Sequence, residues 1–152
     1  MIIEYYRTHP HVVPPMRSNP SDAGLDVFYS PETPAPVTIS PGESVRLGTG
    51  LRFGIPHGYM LQVMNRSSMA AKKNLVVGAH CVDSGYDGEV YIDMHNIGTE
   101  EQTIEPIAKI AQVVLVPVVS FRALETKTPD LYGWSPITIS ARGAGGFGST
   151  GE

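Results

Sequence analysis

The stretch Glu89–Asn96, EVYIDMHN, alternates apolar and polar side chains along its length. In an extended chain successive side chains point to opposite faces, so this alternation is typical of a half-buried β-strand. The apolar set is Val90, Ile92 and Met94, and the polar set is Tyr91, Asp93 and His95. We therefore predict a strand that packs one face inward and leaves the other free to meet a ligand or a partner subunit.

Short β-type runs recur on both sides of this stretch, and turn signals separate them. The runs are VTIS from Val37, SVRL from Ser44, GYMLQV from Gly58 and IAQVVLVPVV from Ile110. The turn signals are Ser40-Pro41-Gly42, Pro56-His57-Gly58 and Tyr86-Asp87-Gly88. Short strands punctuated by Gly and Pro in this way predict an all-β barrel or sandwich.

A single helix is predicted, at SSMAAKK from Ser67, where the serine can cap the start and two lysines fall in the last turn. Arg66 immediately precedes it. The unpaired N–H groups of a helix N-terminus favour phosphate, so an anion site and an ordinary capped surface helix both remain open for this segment.

Composition limits the classes of function. The chain has 152 residues, 41% of them hydrophobic, which suits one compact domain. Its net charge of -4 argues against a broad nucleic-acid-binding face. The sequence has no apolar run long enough to span a bilayer, and MIIEYYRTHPH is unlike a secretory signal, so we expect a cytoplasmic protein. Cys81 is the only cysteine, which excludes an intrachain disulfide.

The C-terminal tail is the most unusual segment, with four glycines in the six residues Gly143–Gly148. So few side chains cannot form a core, and we expect the tail to be flexible until a ligand orders it. Its backbone N–H groups, Arg142 and two hydroxyls would suit a phosphate, and Phe147 could cover a base. Glycine content alone favours a disordered terminus.

The segment VVGAHCVDSGYDGEV from Val76 places Asp83 and Tyr86 in what we predict to be a tight hairpin. The main chain of such a hairpin can read the edge of a flat base, because a mismatched base would leave a buried polar group unpaired. Taken alone, the Asp-Ser-Gly sequence also fits an ordinary turn. Cys81 fits a small apolar filler better than a nucleophile, and His80 and His95 fit structural roles better than a metal pair.

Five segments, in order, resemble the five motifs of the trimeric dUTP diphosphatase (dUTPase) family. They are DAGLDVFYS from Asp22, NRSSMA from Asn65, GAHCVDSGYDGEV from Gly78, IAKIAQVV from Ile107 and RGAGGFGSTG from Arg142. The resemblance implies a dUTPase-like jelly roll, or distorted β-barrel, in residues 1–141, and a mobile tail in residues 142–152. It also implies a homotrimer whose subunits share each site.

For the reaction, the resemblance implies Mg²⁺-dependent hydrolysis of dUTP to dUMP and diphosphate. Asp83 would be the general base. The base and sugar would be bound by Ala79, His80, Cys81, Val82, Tyr86, Tyr91 and Phe147. The phosphates would be bound by Arg66, Ser67, Ser68, Gln112, Arg142, Gly148, Ser149 and Thr150. Asp26 would hold Mg²⁺ through water, which suits an ion that gives up its hydration reluctantly.

The sequence departs from the family pattern in three places. Asn65 stands where proline is usual, Asp87 where Arg or Gln is common, and the run Ile107–Lys109 where Gly-Asp-Arg is usual. An excursion around Tyr132 to Pro136 also lengthens the link between the last two motifs. These departures leave the subunit contacts near the fourth motif open.

Two other classes of function remain as alternatives. A dCTP deaminase-like or bifunctional enzyme shares the Arg-Ser-Ser segment, and Asp93 lies near the position of the deaminase's glutamate, but Ala71 lacks the charge of its arginine. A non-catalytic, nucleotide-responsive regulator is the second alternative. Release of diphosphate from dUTP and of ammonia from dCTP would separate the three.

Overall fold

The computed structural model describes residues 1–129 and Leu131, and within them the chain is mostly β with one short helix. The strands are β1 Glu4–Arg7, β2 Leu25–Phe28, β3 Val37–Ile39, β4 Ser44–Gly48, β5 Leu51–Gly54, β6 Tyr59–Met64, β7 Leu75–Val77, β8 Cys81–Val82, β9 Tyr91–Asn96, β10 Gln102–Ile104 and β11 Lys109–Pro117. The helix is α1, Ser67–Lys73. All of these elements lie in the unit Met1–Ser120.

Four small antiparallel sheets make up this unit. Their strand orders are β1-β5, β10-β3, β2-β11-β6-β8 and β4-β9-β7. The strand predicted from EVYIDMHN is β9, at the centre of the three-stranded sheet. As predicted, Ile92 and Met94 are completely buried on one face, whereas Tyr91 on the other face is half exposed.

The long apolar run from Ile110 forms most of β11, which lies between β2 and β6. Ile110, Ala111 and Val113 are buried, and Val119 beyond the strand is exposed. The nine-residue length of β11 lets its first half, up to Val113, pair with β2 and its second half, from Gln112 onward, pair with β6. This strand therefore fixes the position of β2, whose Asp26 pairs in register with Gln112.

Two local predictions were wrong. Ser67 does not cap α1: Arg66 is the N-cap residue and no side chain caps the helix, because Ser67 is already the first helical residue. The predicted turn at Tyr86-Asp87-Gly88 lies instead at Ser84-Gly85, where Gly85 has a φ of +84° and Tyr86 N–H donates to the Asp83 carbonyl. A positive φ at the third residue is what a type II turn requires.

The expected hairpin around Asp83 also differs from the structure. β8 pairs with β6 and β9 pairs with β4 and β7, so the two strands belong to different sheets. The turn at Asp83–Tyr86 therefore connects one sheet to another. This arrangement leaves a cavity that Ala79, Cys81 and Val82 line together with Tyr91, where a true hairpin would have closed its own ladder.

Ile107 adopts a φ of +63°, which is unusual for a β-branched residue. Its N–H donates to the Tyr29 carbonyl at 2.7 Å, so the hydrogen bond that positions the start of β11 holds it in this conformation. We expect Ile107→Gly to raise the free energy of unfolding by about 1 kcal/mol, because relief of the backbone strain exceeds the added chain entropy of glycine. Chemical denaturation measures the change.

Ile97→Gly is the matched control for this substitution. Both isoleucines are 66% exposed, but Ile97 is not among the residues with positive φ. Glycine at position 97 should therefore lower stability, by about 0.5–1 kcal/mol. If both glycine variants lose stability, position 107 is not strained.

None of the helices in the described part of the chain is long and apolar enough to cross a membrane. The cytoplasmic location remains a prediction. The residues of the predicted connector that are described, 120–129 and 131, form no helix or strand. The boundary predicted between residues 141 and 142 lies outside the described residues and stays a prediction.

Candidate active site

A cavity of about 260 Å³ opens beside the turn that links β8 to β9. Its lining includes most of the residues predicted to bind a base and sugar. They are Ala79, Cys81, Val82, Tyr86 and Tyr91. The predicted general base Asp83 also lines the cavity, together with Arg46, Glu89, Val90 and Asp93. The residues predicted from the sequence thus form one wall of this cavity, while Arg46 comes from β4, which no motif pointed to.

His80 is the exception among the predicted base-binding residues. Its ring Nδ1 lies 2.9 Å from the Val63 carbonyl, and its own carbonyl accepts a hydrogen bond from Val63 N–H. The side chain is therefore directed to β6, and His80 is absent from the lining of the cavity. Any role it has in base binding would have to come from its main chain.

Tyr86 is held in a defined position by its neighbours. Its hydroxyl donates to the Glu89 carbonyl at 2.9 Å, and its ring lies directly against Gly88. A Cβ at position 88 would come within 2.4 Å of the Tyr86 hydroxyl oxygen, so only glycine leaves room for the ring there. The ring therefore forms a fixed wall of the cavity, although 47% of the residue's surface remains exposed.

Cys81 is exposed, which corrects its expected role as a small apolar filler. Its Sγ donates to Asp83 Oδ1 at 3.4 Å, because the two side chains leave the chain on the same side. This hydrogen bond, followed by burial and the negative charge of Asp83, raises the pKa of the Cys81 thiol. A thiol held in its protonated form is a poor nucleophile, and the expectation that Cys81 is not one agrees with this direction.

A second cluster of polar groups forms around Asp26 at the other end of the four-stranded sheet. Arg66 Nε donates to Asp26 Oδ1 at 2.9 Å, and Lys109 Nζ lies 2.8 Å from Oδ2. Ser18 Oγ also donates to Oδ2, and Arg66 Nη1 donates to Ser68 Oγ. The predicted metal and phosphate residues Asp26, Arg66 and Ser68 thus lie together.

The environment of Asp26 favours its ionised form. Burial alone would raise its pKa, but the hydrogen bond from Lys109 and the charges of Arg66 and Lys109 outweigh that effect, so the pKa lies below its ordinary value. In the sequence, Lys109 stands out only as part of the departure from the family pattern at Ile107–Lys109. Its register at the start of β11, beside Phe28 of β2, is what brings its ammonium group to Asp26.

Gln112 lies at the edge of the same cluster. Its register partners are Asp26 on β2 and Met64 on β6, and its Nε2 donates to the Asn65 carbonyl at 3.0 Å. Ser67 is exposed at the start of α1. Four segments that are far apart in sequence, those of β2, β6, β8 and β11, therefore converge on one sheet.

Asp83 and Arg66 lie towards opposite ends of β6. The pairing of Leu61 with Val82 places Asp83 beside Met60, near the start of β6. Arg66 follows two residues after Met64, where β6 ends. A strand advances about 3.3 Å per residue, so Met60 and Met64 alone are separated by about 13 Å. The lining of the cavity includes neither Asp26 nor Arg66, so the predicted site residues form two separate groups in the described chain, which we call the two half-sites.

The remaining predicted site residues, Arg142, Phe147, Gly148, Ser149 and Thr150, lie outside the described residues.

Comparison with known proteins identifies relatives along nearly the whole chain. The dUTPase family model matches residues 11–151. A deoxyuridine 5'-triphosphate nucleotidohydrolase of Rhizobium etli is 40% identical over 131 residues, which are 85% of this chain and 79% of the relative. One of Chlamydia muridarum is 38% identical over 119 residues, which are 77% of each protein.

Solved structures show the same fold. A dUTPase of Staphylococcus bacteriophage 80alpha, solved with dUPNHPP, aligns with a TM-score of 0.84 at 24% identity and covers 99% of each chain. A mutant dUTPase from phage phi11 of S. aureus, described with a structural Mg(II) ion, aligns with a TM-score of 0.76 at 21% identity. It covers 84% of this chain and 98% of the phage protein.

Proposed function

We propose residue roles for this chain from one premise: it belongs to the dUTPase family and hydrolyses dUTP to dUMP. The base and sugar of dUTP occupy the cavity beside the β8–β9 turn, with the uracil edge facing the main chain of residues 79–82. The observation that carries this assignment is the lining of the cavity, which joins Asp83 and Tyr86 of the turn to Tyr91 of β9.

Asp83 acts as the general base. Its carboxylate accepts a proton from water while the water oxygen bonds to the α-phosphorus, and the bond from that phosphorus to the bridging oxygen of the diphosphate breaks. The products are dUMP and diphosphate. Asp83 is exposed at the mouth of the cavity, where a triphosphate that extends outward from the base would pass it.

The phosphate chain is bound by the cluster around Asp26, through Arg66, Ser67, Ser68 and Gln112. Asp26, which lies with Arg66 and Ser68, would hold Mg²⁺ through water, which suits an ion that gives up its hydration reluctantly. Asp26 fits that mode, because it is a single ionised carboxylate able to accept hydrogen bonds from metal-bound water. The ion, when bound, neutralises charge on the phosphates.

The distance between the two half-sites supports an oligomer with shared sites. Along β6, Asp83 and Arg66 of one chain are more than about 13 Å apart. We therefore expect a triphosphate bound beside one Asp83 to meet the Asp26 cluster of a neighbouring chain. We propose the homotrimer that the family resemblance implies. We also propose that the tail covers the bound nucleotide, through Arg142, Phe147, Gly148, Ser149 and Thr150.

Substitution of Tyr86 tests the location of the sugar. We expect Tyr86→Ala to improve kcat/KM for UTP relative to dUTP by about tenfold to a hundredfold, because the ring that blocks a 2′-hydroxyl would be gone. Diphosphate release from both nucleotides gives the ratio. Tyr86→Phe is the matched control, since it loses only the hydrogen bond to Glu89 and should leave the ratio nearly unchanged.

If the ratio of kcat/KM for UTP to kcat/KM for dUTP is unchanged in Tyr86→Ala, the deoxyribose does not lie against Tyr86 and the cavity is not the nucleoside site.

A further inference from the structure

The corner between β6 and α1 has a side-chain contact that the proposed residue roles do not use. Asn65 is the residue between the end of β6 at Met64 and the N-cap residue Arg66. Its Oδ1 accepts a hydrogen bond of 2.7 Å from the N–H of Val77. A proline, which is usual at this position in the family, has no side-chain oxygen, so the contact depends on the asparagine of this chain.

This contact joins the corner to the edge of another sheet. β7 is the last strand in the sheet β4-β9-β7, and its other edge pairs with no strand of the described chain. Gly78 N–H donates to the Asp93 carbonyl on β9, and successive N–H groups of a strand point to opposite sides, so Val77 N–H is directed to the open edge. Val77 is buried, and an unpaired N–H there would cost stability. The side chain of Asn65 supplies the acceptor.

Asn65 also contacts the phosphate cluster directly. Its main-chain carbonyl accepts the hydrogen bond of 3.0 Å from Gln112 Nε2. The next residue is Arg66, whose Nε donates to Asp26 Oδ1 and whose carbonyl accepts the first hydrogen bonds of α1. One asparagine therefore determines the positions of two proposed phosphate ligands, Gln112 through its own carbonyl and Arg66 through the peptide bond that joins them.

The two sides of the contact are held unequally. β7 is paired with β9 along its whole length, and its Leu75 is completely buried. Asn65 is exposed at the surface. Without the hydrogen bond, β7 would keep its place in the ladder and the core, whereas the corner would lose its attachment. The loss should therefore displace Arg66 and Gln112 and leave the main chain of residues 79–82, which follows β7, in position.

We propose that Asn65 is a positioning residue for the phosphates of dUTP. It anchors the corner after β6 to β7 and thereby holds Arg66 and Gln112 at the spacing that the phosphate chain requires. Placement matters because a shift of about 1 Å in such groups is enough to lower the rate of a reaction about a hundredfold. This inference rests on the proposed function, in which Arg66 and Gln112 bind the phosphates.

The test compares the binding of two ligands in the presence of Mg²⁺ by titration calorimetry. The ligands are dUMP and a non-hydrolysable dUTP analogue with an imido group between its α- and β-phosphates. Asn65→Leu keeps the size of the side chain and removes the acceptor. It should raise the Kd of the analogue at least about tenfold and leave the Kd of dUMP within about twofold. Asn65→Ala removes the same acceptor and replaces Asn65→Leu if the leucine variant does not fold.

Asn65→Asp is the conservative variant, because its carboxylate keeps an acceptor for Val77 N–H. Measured at raised ionic strength, which screens the added charge, its Kd for the analogue should lie within about threefold of the value for the unaltered chain. Recovery of affinity by an acceptor of the same shape would show that the hydrogen bond, and not the size of the side chain, places the phosphate ligands.

Hydrogen exchange gives a second readout. Val77 N–H should exchange faster in Asn65→Leu than in the unaltered chain, whereas Gly78 N–H, which is bonded to β9, should keep its protection. Thr103→Val is the matched control, because it removes an exposed side-chain hydrogen bond with Thr38 in the separate sheet β10-β3. It should leave the Kd of both ligands unchanged.

An equal loss of affinity for dUMP and for the analogue in Asn65→Leu would overturn the inference, because it would show a general effect on the fold. An unchanged Kd of the analogue would also overturn it, and so would a Kd in Asn65→Asp as high as that in Asn65→Leu. Arg66→Ala separates these failures from failure of the proposed function. If Arg66→Ala weakens binding of the analogue relative to dUMP, only the role of Asn65 is removed. If it does not, the cluster around Asp26 does not bind the phosphates.

Discussion

Asp83→Asn is expected to lower kcat for dUTP by about a hundredfold to ten-thousandfold while the Kd for dUTP changes little. The amide has nearly the same shape but cannot accept the proton of the attacking water. The Asp83 side chain is exposed and makes one weak contact, with the Cys81 thiol, so its replacement should not disturb the fold. Single-turnover formation of dUMP and equilibrium binding of dUTP measure the two quantities separately.

Asp87→Asn is the control for this substitution. Asp87 belongs to the same loop, and its side chain pairs with Arg52 while remaining 87% exposed. An exposed ion pair contributes little to stability, so this variant should keep kcat within a factor of a few. A kcat for Asp83→Asn as high as that for Asp87→Asn would remove Asp83 from the role of base.

Deletion of the chain from Arg142 onward has the second large effect that we expect. These residues lie outside those that the structure describes, and the prediction rests on the sequence of the tail. kcat/KM for dUTP should fall by at least about a hundredfold, because donors that contact the phosphates in the transition state would be lost. Thermal unfolding and sedimentation should still report a folded trimer, since the described strands and core all lie in Met1–Ser120.

Deletion of only Gly151 and Glu152 serves as the control and should leave activity nearly unchanged. A truncated chain that is unfolded, or monomeric, would show that the tail has a structural role. A truncated chain with full activity would show that the tail does not contact the nucleotide during turnover.

Much of the fold was predictable because the strands have a clear pattern. The alternation in β9 correctly identified Ile92 and Met94 as buried, and the apolar run from Ile110 identified the long strand β11. Strands of two to four residues, such as β5 and β8, carry too few side chains to show a period. The sheet to which each strand belongs depends on long-range pairing, which local sequence does not encode.

The sequence named candidate site residues, but it did not show how they are arranged. The motif resemblance named Asp83, Tyr86, Asp26 and Arg66, and the described structure places the first two in the cavity and the last two in one ion-paired cluster. Lys109 was missed as a partner of Asp26, because only the register between β11 and β2 brings them together.

The same limit explains the separation of the two half-sites. A list of motif residues carries no information about which end of a strand each one occupies, and a reader of the sequence would place them all around one nucleotide. The register of β6 and β8 puts Asp83 and Arg66 at opposite ends of β6. This separation is consistent with the proposed site shared between subunits.

The most direct test of the central claim is a crystal structure of the Asp83→Asn protein with dUTP and Mg²⁺. The account predicts uracil between the main chain of residues 79–82 and Tyr91, the α-phosphorus beside the amide introduced at position 83 with a water between them, and Arg66 from a neighbouring chain on the phosphates. A nucleotide bound outside this cavity, or held by position 83 and Arg66 of the same chain, would contradict it.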